Sequence, residues 1–126
     1  MERILFLFAA GGLGTIGRYA IATWVQRESH TSFPFGVMAA NALGSLAFGL
    51  IYSLAEERDL LTGEARIAVL VGFLGAFTTF STFAFDTGQL IRDDRYLWAA
   101  GNIILNNAIG LSLVFIGIWL GRLQTS

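Results

Sequence analysis

The stretch Gly72-Phe73-Leu74-Gly75-Ala76-Phe77-Thr78-Thr79-Phe80-Ser81-Thr82-Phe83 decides how this chain is read. It lies within an apolar segment of membrane-spanning length, yet it carries two glycines and the hydroxyls of Thr78, Thr79, Ser81 and Thr82. A straight spanning helix needs neither. Glycine loosens a helix, and hydroxyl groups can re-satisfy backbone atoms that a break sets free. Irregular backbone at bilayer depth is tolerated only where it is buried in protein or lines a cavity. The segment therefore reads as a helix built to be interrupted, with polar atoms presented inside the membrane.

Working outward, a membrane span needs about 20 mostly apolar residues. Residues 4–25, 35–55, 67–90 and 97–120 meet that requirement. The connections are short and polar: 26–34 holds the only His and the only Pro, 56–66 is rich in charge, and Arg92-Asp93-Asp94-Arg95 makes a tight charged turn. Trp24, Tyr96, Trp98 and Trp119 fall near the predicted helix ends, where amphipathic rings anchor at the interface. The first apolar stretch lacks a charged leader and a small-residue cleavage site, so it is expected to be a retained span. The expectation is an all-α integral membrane protein, a single four-helix transmembrane domain over residues 1–126 with a broken third helix.

Composition agrees. Hydrophobic residues make up 55% of the 126 and charged residues 13%, against about 25% charged in soluble domains. Without cysteine there is no disulfide, thiol nucleophile or thiolate metal site. A net charge of −1 gives no support to nucleic-acid binding. The single histidine, His30, lies in a loop beside no evident partner, so no enzyme reading survives. All eight basic residues are arginine, which reads as composition bias.

Four spans put both termini on one side. That side carries Arg3, Arg58, Arg66 and Arg122, and the other Arg27, Arg92 and Arg95. Basic residues in short loops set orientation, and four against three is almost no bias. Either the topology signal is weak, or the chain inserts both ways and pairs with its inverted twin. So small a chain has little interior for a pathway of its own, which points to an oligomer. Small-residue faces at Ala10/Gly14/Gly17 and Ala40/Gly44 would let helix backbones approach closely.

Only Arg18 and Asp86 are ionisable within the spans, and such residues are functional candidates by default. Arg18 either snorkels to the interface, caps carbonyls in a vestibule or attracts an anion. Asp86 either pairs with an arginine or reaches the headgroups. Asn41 sits in the second span and Asn102, Asn106 and Asn107 in the fourth, with 102 and 106 on one face. These amides either bond between helices or line a path, where an amide can donate to an anion. Phe80 and Phe83, three apart, share a face if the helix resumes. Their positive ring edges can help hold a small anion without a full charge that would bind too tightly to release. Carbonyls exposed at a helix break suit a hard cation such as Na⁺.

These residues resemble the Fluc (CrcB-like) fluoride channel family. The likeness covers the whole chain and is most specific in Gly-x-x-Gly-x-x-Thr-Thr-Phe-Ser-Thr-Phe over 72–83. It implies an antiparallel, dual-topology homodimer with two pores that exports fluoride passively across the cell (inner) membrane. It implies that Phe80 and Phe83 belong to a phenylalanine box and that Asn41 is the pore amide. Ser81, Thr82 and Thr79 would supply hydroxyls near the ion path, and Arg18 would stand near the vestibule. Backbone carbonyls of Gly75 and Thr78 from both subunits would cage a central structural Na⁺. Against the family pattern, Ala76 stands where a second glycine is common, Val37 where a threonine precedes the pore Asn, and Asp86 where a Glu is common. Val37 removes a hydroxyl from the expected polar track, and Asp86 shortens an acidic reach by one methylene. The other transport reading is a small dual-topology multidrug transporter exchanging a cation for protons, but it needs an acid in the first span, where Arg18 is the only charge. A non-conducting membrane scaffold would use the same polar groups as packing contacts.

Overall fold

A computed structural model describes residues 1–61 and 63–124. It is all-helical among those residues, and four helices are long and apolar enough to cross a membrane. Helix α1 spans Glu2–Ser29 and α2 spans Phe35–Arg58. The third span, Gly63–Arg92, is two helices. The first, α3, starts as Gly63–Ile67, widens to π-winding over Ala68–Leu74 and closes as Gly75–Phe77. The second, α4, covers Phe80–Arg92. Helix α5 is Tyr96–Leu123.

The helices outrun the apolar stretches by up to about a turn, and at one end of the bundle charged side chains on these extensions pair with one another. Arg3 meets Glu64 at 2.9 Å, Arg122 meets Glu57 at 3.4 Å, and Arg66 binds Glu56. The 56–66 connection is therefore mostly helix, with Thr62 outside the described residues. Exposed pairs of this kind are screened by solvent and contribute little to stability.

The other end of the bundle is tied by side chains. Gln26 in the last turn of α1 donates to the carbonyls of Thr31 (2.8 Å) and Phe33 (2.9 Å) and accepts from the Gly36 N–H (2.9 Å). One amide thus fixes the α1–α2 turn, which leaves α1 through His30 in the left-handed region (φ 52). The charged turn after α4 uses Asp94 in the same conformation (φ 58). Arg95 lies over the Trp98 ring, 3.5 Å from its centroid. Trp24 is 62% exposed, Tyr96 62% and Trp119 59%, as interfacial rings should be.

Helix α2 is central. In its most apolar window 28% of residues are buried, against 6% in α1 and in α5, whose outer faces are left for lipid or another chain. The closest crossing is α2 on α5. A methyl on Gly49 would lie 2.1 Å from the Val114 carbonyl oxygen, and one on Gly117 would lie 2.4 Å from that of Leu46. Only glycine lets these backbones touch.

The small faces anticipated in the first two spans both receive the third. Ala10 packs on Gly72, Gly14 on the Phe73 backbone and Gly17 on the Phe77 ring. Gly44 of α2 meets Phe77 and the Thr78 methyl, and Ala40 is fully buried. The end of α3 is therefore seated between two helices that yield space to it.

Candidate functional site

The chain leaves helix at Thr78 (φ −89, ψ 156) and Thr79 (φ −148, ψ 120). Gly72 and Gly75 are not the break itself. Gly72 lies in the π-wound stretch against α1, and the extended residues are the two threonines.

Several of the backbone groups freed there find partners outside the helical pattern. Asn41 grips Thr79 from both sides: its Oδ1 accepts from the Thr79 N–H at 2.8 Å and its Nδ2 donates to the Thr79 carbonyl at 3.0 Å. Thr79 Oγ1 caps α4 by accepting from the Thr82 N–H at 3.2 Å, and it donates to Thr82 Oγ1 at 3.1 Å. Arg18 donates from Nε to the Ala76 carbonyl at 3.1 Å, so of the roles open to it, it caps a carbonyl. The Leu74 carbonyl takes both the N–H (3.1 Å) and the hydroxyl (3.2 Å) of Thr78.

This arrangement takes helical donors from the carbonyls around the break, those of Gly75 and Thr78 among them. In a continuous helix the Thr79 N–H would bond Gly75 and the Thr82 N–H would bond Thr78. Here the first is turned to Asn41 and the second to Thr79 Oγ1. Gly75 and Thr78 are thus the kind of oxygens a hard cation takes.

Beside the break runs a groove of about 360 Å³ between α2, α4 and α5. Asn41, Gly44, Ser45 and Phe48 form its α2 wall, and Thr78, Thr79, Phe80 and Phe83 form the break wall. Asn106, Asn107, Gly110 and Val114 close it from α5. The Phe80 and Phe83 rings share a face, with centroids 5.6 Å apart and planes tilted by 57°. The groove is open to one side, where Phe80 is 78% exposed.

The groove gathers Asn41, Thr78, Thr79, Phe80 and Phe83 of the sequence candidates, and Asn106 and Asn107 of the fourth span line it. It does not gather the rest. Ser81 and Thr82 lie around the α4 cap, and Arg18 is held at Ala76. Asp86 lines a separate cleft with Arg27, Ser32 and Val37 near the α1–α2 turn. Ser45 and Phe48 were not anticipated. Ser45 stands four residues after Asn41, a spacing that puts both polar groups on one helix face.

Four spans, a helix interrupted at bilayer depth and a groove of amides, hydroxyls and phenyl rings define a small multi-pass membrane protein with a polar track through its helices. The chain belongs to the CrcB-like protein, Camphor Resistance (CrcB) family, which it matches over residues 5–118. It is 47% identical to a protein of Nitrosococcus oceani named fluoride-specific ion channel FluC, over 97% of this chain and 98% of that one. Proteins of the same name from Desulforapulum autotrophicum and Solidesulfovibrio magneticus are 43% and 42% identical, covering 97% and 98% of this chain and 98% of each relative.

Proposed function

We infer that this chain is a fluoride-selective ion channel that lets fluoride leave the cell down its gradient across the inner membrane. The observation that carries this is the groove that joins Asn41, Phe80, Phe83 and Asn107 at the helix break, in a chain similar over its whole length to channels named for fluoride. Inside the bilayer, fluoride must exchange its water for other donors. Asn41 uses one Nδ2 hydrogen on Thr79 and keeps one. Asn107 uses one on the Ile103 carbonyl (2.7 Å) and keeps one. Ring edges of Phe80 and Phe83 add weak positive potential. Several weak sites favour conduction over trapping.

The working unit is an antiparallel homodimer of dual-topology chains. The open side of the groove and the exposed outer faces of α1 and α5 support it, since a second copy would cover what one chain leaves open. A Na⁺ at the dimer centre would be held by the Gly75 and Thr78 carbonyls of both copies, and as a fixed charge it would tie the two breaks together.

Fluoride efflux from proteoliposomes tests the reading. Phe80→Ala and Phe83→Ala are expected to abolish most of the flux, and unchanged flux in both would remove the pore assignment. A C-terminal tag is expected on both membrane faces, and a single orientation would sink dual topology. Exchanging Na⁺ for a larger cation is expected to weaken the dimer, and indifference would count against the cation site.

A further inference from the structure

Away from the break, the most deeply buried large side chain among the described residues is polar. Asn102 of α5 is 1% exposed, and a buried amide is tolerated only when its bonds are made. Its Nδ2 donates to Thr87 Oγ1 of α4 at 2.9 Å, and its Oδ1 accepts from Asn106 Nδ2 at 2.7 Å. Thr87 Oγ1 in turn donates to the Phe83 carbonyl at 2.9 Å. A chain of bonds therefore runs from the backbone of a groove phenylalanine, through two buried side chains, to a groove asparagine.

Its direction is fixed by chemistry. A carbonyl cannot donate, so the single Thr87 hydroxyl proton goes to Phe83. Thr87 Oγ1 must then accept, which requires the Nδ2 of Asn102. That leaves Asn102 Oδ1 facing Asn106, which must answer with Nδ2. The same Nδ2 also donates to the Asn102 backbone carbonyl at 3.0 Å. Both Asn106 hydrogens are then engaged, and its Oδ1 is buried without a partner.

We propose that Thr87, Asn102 and Asn106 form a directional relay that tethers α4 to α5 and prevents Asn106 from turning its N–H groups into the groove. Thr87 and Asn102 are thus positioning residues for the ion path. The relay makes Asn107, not Asn106, the α5 amide with a hydrogen to offer an anion. This rests on the fluoride reading for its effect on flux, but the relay itself can be detected without transport.

The chain has only four asparagines, so ¹⁵N-asparagine labelling in detergent gives few side-chain amide signals to follow. Thr87→Val, close in shape to the native residue, removes the proton that sets the direction. It is expected to shift the Asn102 and Asn106 amide signals, to speed their exchange and to leave Asn107 in place. Fluoride flux in proteoliposomes is expected to fall severalfold as the α4–α5 tether loosens. Thr87→Ser restores the hydroxyl and is expected to restore both signals and flux. Asn106→Ala probes the other end, where the relay requires the Asn102 signals to move while the fold is kept. Unmoved Asn106 signals in Thr87→Val, unmoved Asn102 signals in Asn106→Ala, or a Thr87→Ser as defective as Thr87→Val, would each overturn the relay. A wild-type protein that carries no fluoride would overturn the function and leave the amide signals to decide the relay.

Discussion

Asn41→Ala is the most informative perturbation of the break. The side chain makes both hydrogen bonds of Thr79, accepting at 2.8 Å and donating at 3.0 Å. Alanine leaves a backbone N–H and a carbonyl without those partners inside the bilayer. Each buried polar group left unmade costs about 1–3 kcal/mol, so about 2–6 kcal/mol is at stake. Side-chain bonds between membrane helices average only about 0.6 kcal/mol, because alternative partners are found. Thr79 sits in extended backbone with no helical partner to turn to, so the lower bound of about 2 kcal/mol is a safe expectation. That predicts roughly thirtyfold faster exchange of the Thr79 amide hydrogen, from about 1.4 kcal/mol per factor of ten. Amide exchange by NMR or mass spectrometry measures it, with fluoride efflux recorded on the same sample. Asn41→Asp separates the two duties of this residue. It keeps an acceptor for the Thr79 N–H but loses the donor and puts an acid in the groove. Exchange at Thr79 should stay slow while fluoride flux collapses. Wild-type exchange at Thr79 in Asn41→Ala would refute the clamp.

Arg18→Ala is expected to free the Ala76 carbonyl and loosen the α1–α3 contact by about 1.5–3 kcal/mol, the range for a hydrogen bond from a charged group, read as a lower melting point in detergent. Gly49→Ala should destabilise the α2–α5 crossing by about 1–3 kcal/mol or prevent folding, since its methyl would lie 2.1 Å from the Val114 carbonyl. Gly110→Ala, whose methyl meets only the Ser45 hydroxyl at 3.5 Å, should fold normally, and equal melting points for the two glycine variants would contradict the crossing. Arg3→Gln should leave the melting point in detergent essentially unchanged, because its ion pair with Glu64 is exposed and screened by solvent.

What was legible in the sequence depended on range. The four spans follow from apolar length alone, and an interruption in the third follows from its glycines and hydroxyls. Where that interruption falls did not follow. The glycines read as the weak points, but Gly72 serves close packing against α1 while Thr78 and Thr79 leave the helix. The break falls where a partner from another helix can replace the lost helical bonds, and Asn41 of α2 supplies it. No local pattern marks that pairing. The same holds for Thr87 with Asn102, which meet only when two helices adopt a particular register. It holds again for Gly49 and Gly117, which looked like any other glycines until their backbones were seen to touch.

The geometry also removes an opposition that the sequence left standing, between polar groups as packing contacts and polar groups as a path. An amide nitrogen carries two hydrogens. Asn41 gives one to the Thr79 carbonyl, and Asn107 gives one to the Ile103 carbonyl, so each can fasten backbone and still face the groove with the other. Asn106 uses both of its hydrogens on Asn102 and belongs to the scaffold alone. Arg18, the one full positive charge in the first span, is drawn to the Ala76 carbonyl and does not line the groove. The groove is thus bordered by single, neutral donors, while the full charge of Arg18 caps a carbonyl beside it. On the proposed function, a small anion at such a wall would find enough polarity to leave water and too little to be held, as a passive channel requires.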